Sequence, residues 1–108
     1  MASDRNVKKE VEAANVGEVL ARLRELPIST WTYVTEPSGV RHLGPMAQDF
    51  RASFGLGNDD RSYQAVDGHG VAMAAIQALD RLVQEQQRRI DALDRKNEEL
   101  GRLLRRRK

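Results

Sequence analysis

Two side chains near the start of the chain have the types and spacing for nucleophilic chemistry: Ser3, and Lys8 five residues later. A serine hydroxyl attacks a carbonyl poorly unless a neighbour takes its proton. A neutral lysine amine can do this where burial or adjacent charge draws its pKa from about 10.4 toward 7 or 8. The two histidines, His42 and His69, lie far from Ser3 in the sequence, so a serine–lysine dyad is the economical arrangement. Taken alone, the pair reads more simply as a cap and a solvated cation, because serine ahead of a charged helix is commonly an N-cap and lysines in charged runs face water.

Other chemistries find less support. The chain has no cysteine, which excludes disulfides, thiol catalysis and cysteine-ligated metal. Two histidines are too few for a persuasive metal site. Gly55-Leu56-Gly57-Asn58 lacks the strand and full fingerprint of a phosphate cradle and reads as a helix stop. Asp59 and Asp60 lack the recurring oxygen ligands of a calcium loop and read as solvated acids. No metal or cofactor is expected.

The elements that must position Ser3 and Lys8 are dominated by the C-terminal third. From Val71 to Lys108, apolar and amide positions recur in steps of three and four: Ile76, Leu79, Val83, Gln86, Ile90, Leu93, Asn97, Leu100 and Leu104. That is a heptad seam, and a strict seven-residue period holds to one face only if the helix supercoils around a partner; the plainer alternative is a helix packed on its own domain, and the sustained register favours self-association. Arg89 at g and Asp94 at the following e carry the opposite charges of a parallel, in-register pair. β-branched residues at a, leucine at d and Asn97 at a favour two strands. Met73, Ala75, Leu82 and Leu103 at e or g widen the stripe, which suits three. Gln86 and Asn97 cost stability inside the seam but penalise shifted or antiparallel pairings.

Ahead of this helix lies a small head. Of 108 residues, 40% are hydrophobic but only 5% aromatic, so the core is thin and association is expected to be part of the fold. Val16, Val19, Leu20 and Leu23 share one face of a short helix ended by Pro27. Residues 28–34 read as a strand with Trp31 and Tyr33 on one face, Glu36-Pro37-Ser38-Gly39 as a turn, and 40–43 as the return strand. Pro45 suits the first turn of another helix carrying Met46, Ala47, Phe50 and Phe54. Tyr63 to Val66 reads as extended or irregular, and Asp67-Gly68-His69-Gly70 as a flexible corner before the long helix. The expected class is α+β: a helix and β-hairpin head over 1–70, then a coiled-coil helix over 71–108.

The net charge of +2 sits largely in Arg102, Arg105, Arg106, Arg107 and Lys108, cations that complement the dipole of a helix C-terminus. No aromatic residue interleaves with them to stack a base, so nucleic acid is not an expected partner. No run is long and apolar enough to span a membrane, and the first residues lack a signal peptide's apolar core. An export signal, if the protein is exported, is expected on a longer parent chain.

Four blocks in order, Ser3 to Lys8, Leu26 to Tyr33, Arg41 to Phe50 and Val66 to Leu79, together resemble the intramolecular chaperone domain of phage endosialidases and tail spikes. This is the S74 peptidase family, and the resemblance extends to its branch at the C-termini of bacterial surface fibres. Such a domain ends a longer fibre, trimerises, helps the upstream part fold and then cuts itself off just before the serine of a Ser-Asp motif. The resemblance therefore implies a homotrimer, an upstream fibre as client and a place on a phage tail fibre or bacterial surface fibre. It also implies a scissile bond between Ala2 and Ser3, with Ser3 as nucleophile and Lys8 as base. His42 and Gln48 match recurrent family positions without an assigned role, and the glycines after Asp67 depart from the aromatic that many phage members carry there. With two residues ahead of Ser3, the chain fits a released product or an uncut remnant. The rival expectation is a non-catalytic trimerisation or capping module.

Overall fold

The computed structural model describes residues 2–107. Met1 and Lys108, the latter part of the expected basic tail, lie outside the described residues. A 3-10 turn over Arg5–Val7 is followed by an extended stretch and then helix α1, Val16–Glu25. Asn15 caps α1 by accepting the Glu18 amide at 3.1 Å, and Pro27 follows its end. Arg22 pairs with Glu18 one turn back at 2.7 Å and also donates to the Ser53 carbonyl at 2.9 Å, tying α1 to the next helix.

Strands β1 (Ser29–Trp31) and β2 (His42–Gly44) form an antiparallel hairpin in which Trp31 faces His42. The ladder is shorter than the expected strands, stopping at Trp31 because the chain turns early: the Glu36 carboxylate and amide bond to Tyr33, the carboxylate accepting its N–H at 3.0 Å. Helix α2 covers Ala47–Phe54. Pro45 lies just outside it, and Met46, not Pro45, is the boundary residue. Gly55 ends α2 in the left-handed conformation, φ 63°, where a side chain would be strained.

Helix α3 runs unbroken over Ala65–Arg106, about 63 Å at 1.5 Å per residue. It therefore begins six residues before the expected Val71, and the segment read as a flexible corner is its first turns. The glycine at 68 serves packing: a Cβ there would lie 3.3 Å from the Tyr63 ring. Asp67 in the first turn suits the positive end of the helix dipole.

The core sits where these elements meet. Leu26, Phe50 and Val71 are buried, with Val19, Leu23, Phe54 and Tyr63 packed around them. Phe50, 2% exposed, stacks on Tyr63 at a centroid distance of 4.5 Å and lies 5.1 Å from Phe54. α1 packs antiparallel along α3, with Leu23 and Leu26 toward Val71 and with Val16 and Leu20 beside Ala78 and Leu82. No helix among the described residues is long and apolar enough to cross a membrane.

Candidate functional site

The segment carrying Ser3 is an exposed arm. Residues 2 to 15 are all exposed, and the 3-10 turn packs against no other helix or strand among the described residues. Within the arm, local bonds decide the shape. Asp4, not Ser3, caps the turn: its Oδ1 accepts the Asn6 amide at 2.9 Å and the Asn6 side-chain amide at 3.2 Å. The Asp4 carbonyl accepts from Val7 at 3.2 Å and the Arg5 carbonyl from Lys8 at 3.3 Å. The chain thereby doubles back, and Lys8 Nζ donates to Ser3 Oγ at 2.7 Å. Past the turn, Glu10 takes a left-handed φ of 56°.

The distance suits proton transfer between the two groups. An ammonium donating to the hydroxyl is the charged form of the pair; with the amine neutral, the same contact lets the hydroxyl donate and the nitrogen accept. Ala2, whose carbonyl carbon forms the bond to Ser3, is exposed beside them.

His42 and Gln48 lie elsewhere, in the head. No hydrogen bond among the described residues joins either to Ser3 or Lys8. His42 Nε2 meets Glu36 Oε1 at 2.8 Å and Oε2 at 3.0 Å, and because a carboxylate only accepts, that nitrogen carries a proton. Tyr33 and Trp31 flank the imidazole at 4.9 and 5.9 Å between centroids, and the two aromatics meet edge to face at 6.1 Å. Trp31 and Tyr33 thus share a face, as the alternation in the sequence predicts. Gln48 is exposed and lines a groove with Trp31, Tyr33, Met46 and Tyr63.

Sequence reasoning missed Asp4 and Glu36. Both had a signal: an acid directly before a charged turn is a common cap, and Glu36 opens the turn that brings the strands together. Asp59 is also more than a solvated acid. Its Oδ1 accepts the amides of Arg61 at 2.9 Å and Ser62 at 3.1 Å, and those two bonds, the Arg61 bond foremost, hold its carboxyl below the usual range.

The expected interface positions all lie on the part of α3 left open. Ile76, Leu79, Val83, Ile90, Leu93, Leu100 and Leu104 are between 50% and 66% exposed, and Gln86 and Asn97 are exposed among them.

Compared with known proteins, residues 3–55 match the family model Peptidase_S74, described as chaperone of endosialidase. No curated protein matches the chain.

Proposed function

We propose, for a chain whose residues 3–55 belong to the chaperone-of-endosialidase family, a self-cleaving intramolecular chaperone that acts as a homotrimer on the fibre polypeptide ahead of it. The family carries a chaperone role in fibre folding and, as a peptidase family, autoprocessing activity. The finer reading assigns Ser3 as nucleophile and Lys8 as its base. The observation that carries it is the 2.7 Å contact between Lys8 Nζ and Ser3 Oγ, made across the 3-10 turn.

In the proposed reaction, Ser3 Oγ attacks the Ala2 carbonyl carbon through a five-membered ring while Lys8 takes the hydroxyl proton. The Ala2–Ser3 C–N bond breaks, the Ser3 nitrogen receives that proton, and an ester joins Ala2 to the Ser3 oxygen. Water then attacks the ester, again with Lys8 relaying a proton, and releases the Ala2 carboxylate and the Ser3 hydroxyl. The attack is intramolecular, so proximity supplies much of the rate.

Assembly supplies the rest of the argument. Burial disfavours the charged form of a lysine, and in the single chain the arm lies open to solvent. A neighbouring chain closing over it would provide the free amine, so that cutting follows correct association. The bare seam of α3 is the surface through which the chains associate, in parallel, with three strands as the family resemblance implies. On this reading 1–70 works as the processing head and 71–108 as the trimerising helix. The client is a tail fibre or surface fibre. His42 and Gln48 are given no step.

The test uses the chain with its native upstream sequence. Ser3→Ala should leave the assembly's mass unchanged in sedimentation and abolish the cut seen on a gel. Continued cutting of this variant removes Ser3 from the reaction. A wild-type chain that assembles but is never cut points to the non-catalytic trimerisation module, a reading that the bare seam alone would satisfy.

A further inference from the structure

We infer that Asp4 is a positioning residue whose side-chain acceptor, and not its charge, folds the turn that closes Lys8 onto Ser3. The inference rests on the serine–lysine reading. Five residues of extended chain would hold the two side chains about 17 Å apart, so something must bend the backbone. The turn packs against no other helix or strand among the described residues, and Val7, its apolar residue, is 69% exposed. Local hydrogen bonds therefore carry the bend.

Of those bonds, the two between backbone groups are long, at 3.2 and 3.3 Å. The one from the Asn6 amide to Asp4 Oδ1 is shorter, at 2.9 Å. Asp4 itself is extended, φ −62° and ψ 134°, the backbone that lets a capping side chain reach forward. The bond from the Asn6 side chain, at 3.2 Å, adds to the same oxygen but leaves the backbone donor satisfied if it is lost.

Substitutions at position 4 separate acceptor from charge. Asp4→Asn keeps an oxygen at the same reach without the charge. Asp4→Glu keeps the charge on a side chain one methylene too long. In the chain with its native upstream sequence, Asp4→Asn should cut within about twofold of wild type. Asp4→Ala and Asp4→Glu should each be about fivefold slower, the population lost with a typical cap. Asn6→Ala should cut at close to the wild-type rate. Measured on the same uncut chains, hydrogen exchange at the residue 6 amide should quicken in Asp4→Ala and Asp4→Glu and stay slow in Asp4→Asn.

Cutting by Asp4→Glu at the wild-type rate with Asp4→Asn slow would overturn the inference in favour of charge. Wild-type cutting by Asp4→Ala would overturn it outright. Were Ser3→Ala still cut, the serine–lysine reading would fall, and the amide exchange pattern would still decide whether Asp4 builds the turn.

Discussion

Helix α3 has two apolar faces, and they have opposite fates. On one, Val71, Ala75 and Ala78 are buried, and Leu82 continues the row into the groove beside α1. These fall at c and g of the heptad and alternate steps of four and three just as the a and d positions do. On the other, Ile76, Leu79, Val83, Ile90, Leu93, Leu100 and Leu104 stay open. Periodicity alone does not say which row serves the chain's own fold and which a partner; side-chain size does. Alanines at 75 and 78 let the α1 backbone lie close, whereas the open row offers the branched and leucine side chains that fill the holes of a facing helix. Burying the remaining area of each open side chain would contribute on the order of 1 kcal/mol. The division also reassigns part of the widened stripe: Ala75 is buried, whereas Met73, Leu103 and, at 41% exposed, Leu82 still broaden the open face.

The largest effect is expected when the open row is made polar and the covered one is left intact. Ile90→Asp combined with Leu93→Asp should abolish association completely, reducing the assembly to single chains in sedimentation. Amide protection in α1, Val16–Glu25, should survive. An assembly of unchanged mass would show that the open row is not the interface, and loss of α1 protection would show that the two faces are not independent.

A smaller effect is expected from the covered face. Ala78 is 5% exposed on the side of α3 that faces α1, so Ala78→Leu forces extra volume between the two helices, and overpacking of this kind costs about 1 to 3 kcal/mol. The urea midpoint of the head should fall, with the assembly's mass retained. A variant as stable as wild type would mean that α1 can shift along α3 without penalty.

The same distinction between pattern and partner explains what could be read in advance. The hairpin, the helix around Phe50 and the long tail were legible because each carries its own period or turn signal. The start of α3 was not, since Gly68 and Gly70 break local helix propensity and the reason for Gly68, the Tyr63 ring 3.3 Å from where a Cβ would be, exists only in the folded chain. Alternation predicts longer strands than form, because the Glu36 carboxylate that helps turn the chain at Tyr33 is a side-chain group, which alternation does not register. At the site, Ser3 and Lys8 could be named from residue type and resemblance, but the turn joining them depends on Asp4, whose neighbours in sequence look like an ordinary run of charge.

The weakest expected effect probes the loop that joins α2 to α3. Asp59 is exposed, so its carboxylate acts through the amides of Arg61 and Ser62 and not through burial. Because those bonds favour the charged form, its pKa is lower folded than unfolded. The stabilisation is fully present above the ordinary value of 3.8 and is lost as pH falls through the lower folded value, where the unfolded chain binds the proton more readily. Asp59→Asn keeps an acceptor oxygen but has no such proton to take up. Between pH 6 and about pH 3, the wild-type denaturation midpoint should therefore drop slightly more than that of Asp59→Asn, while Ile90→Asp with Leu93→Asp should leave this difference unchanged. Parallel pH curves for the wild type and Asp59→Asn would mean that the loop forms these bonds no better folded than unfolded. Convergence of the curves only in the seam variant would instead tie the loop to association.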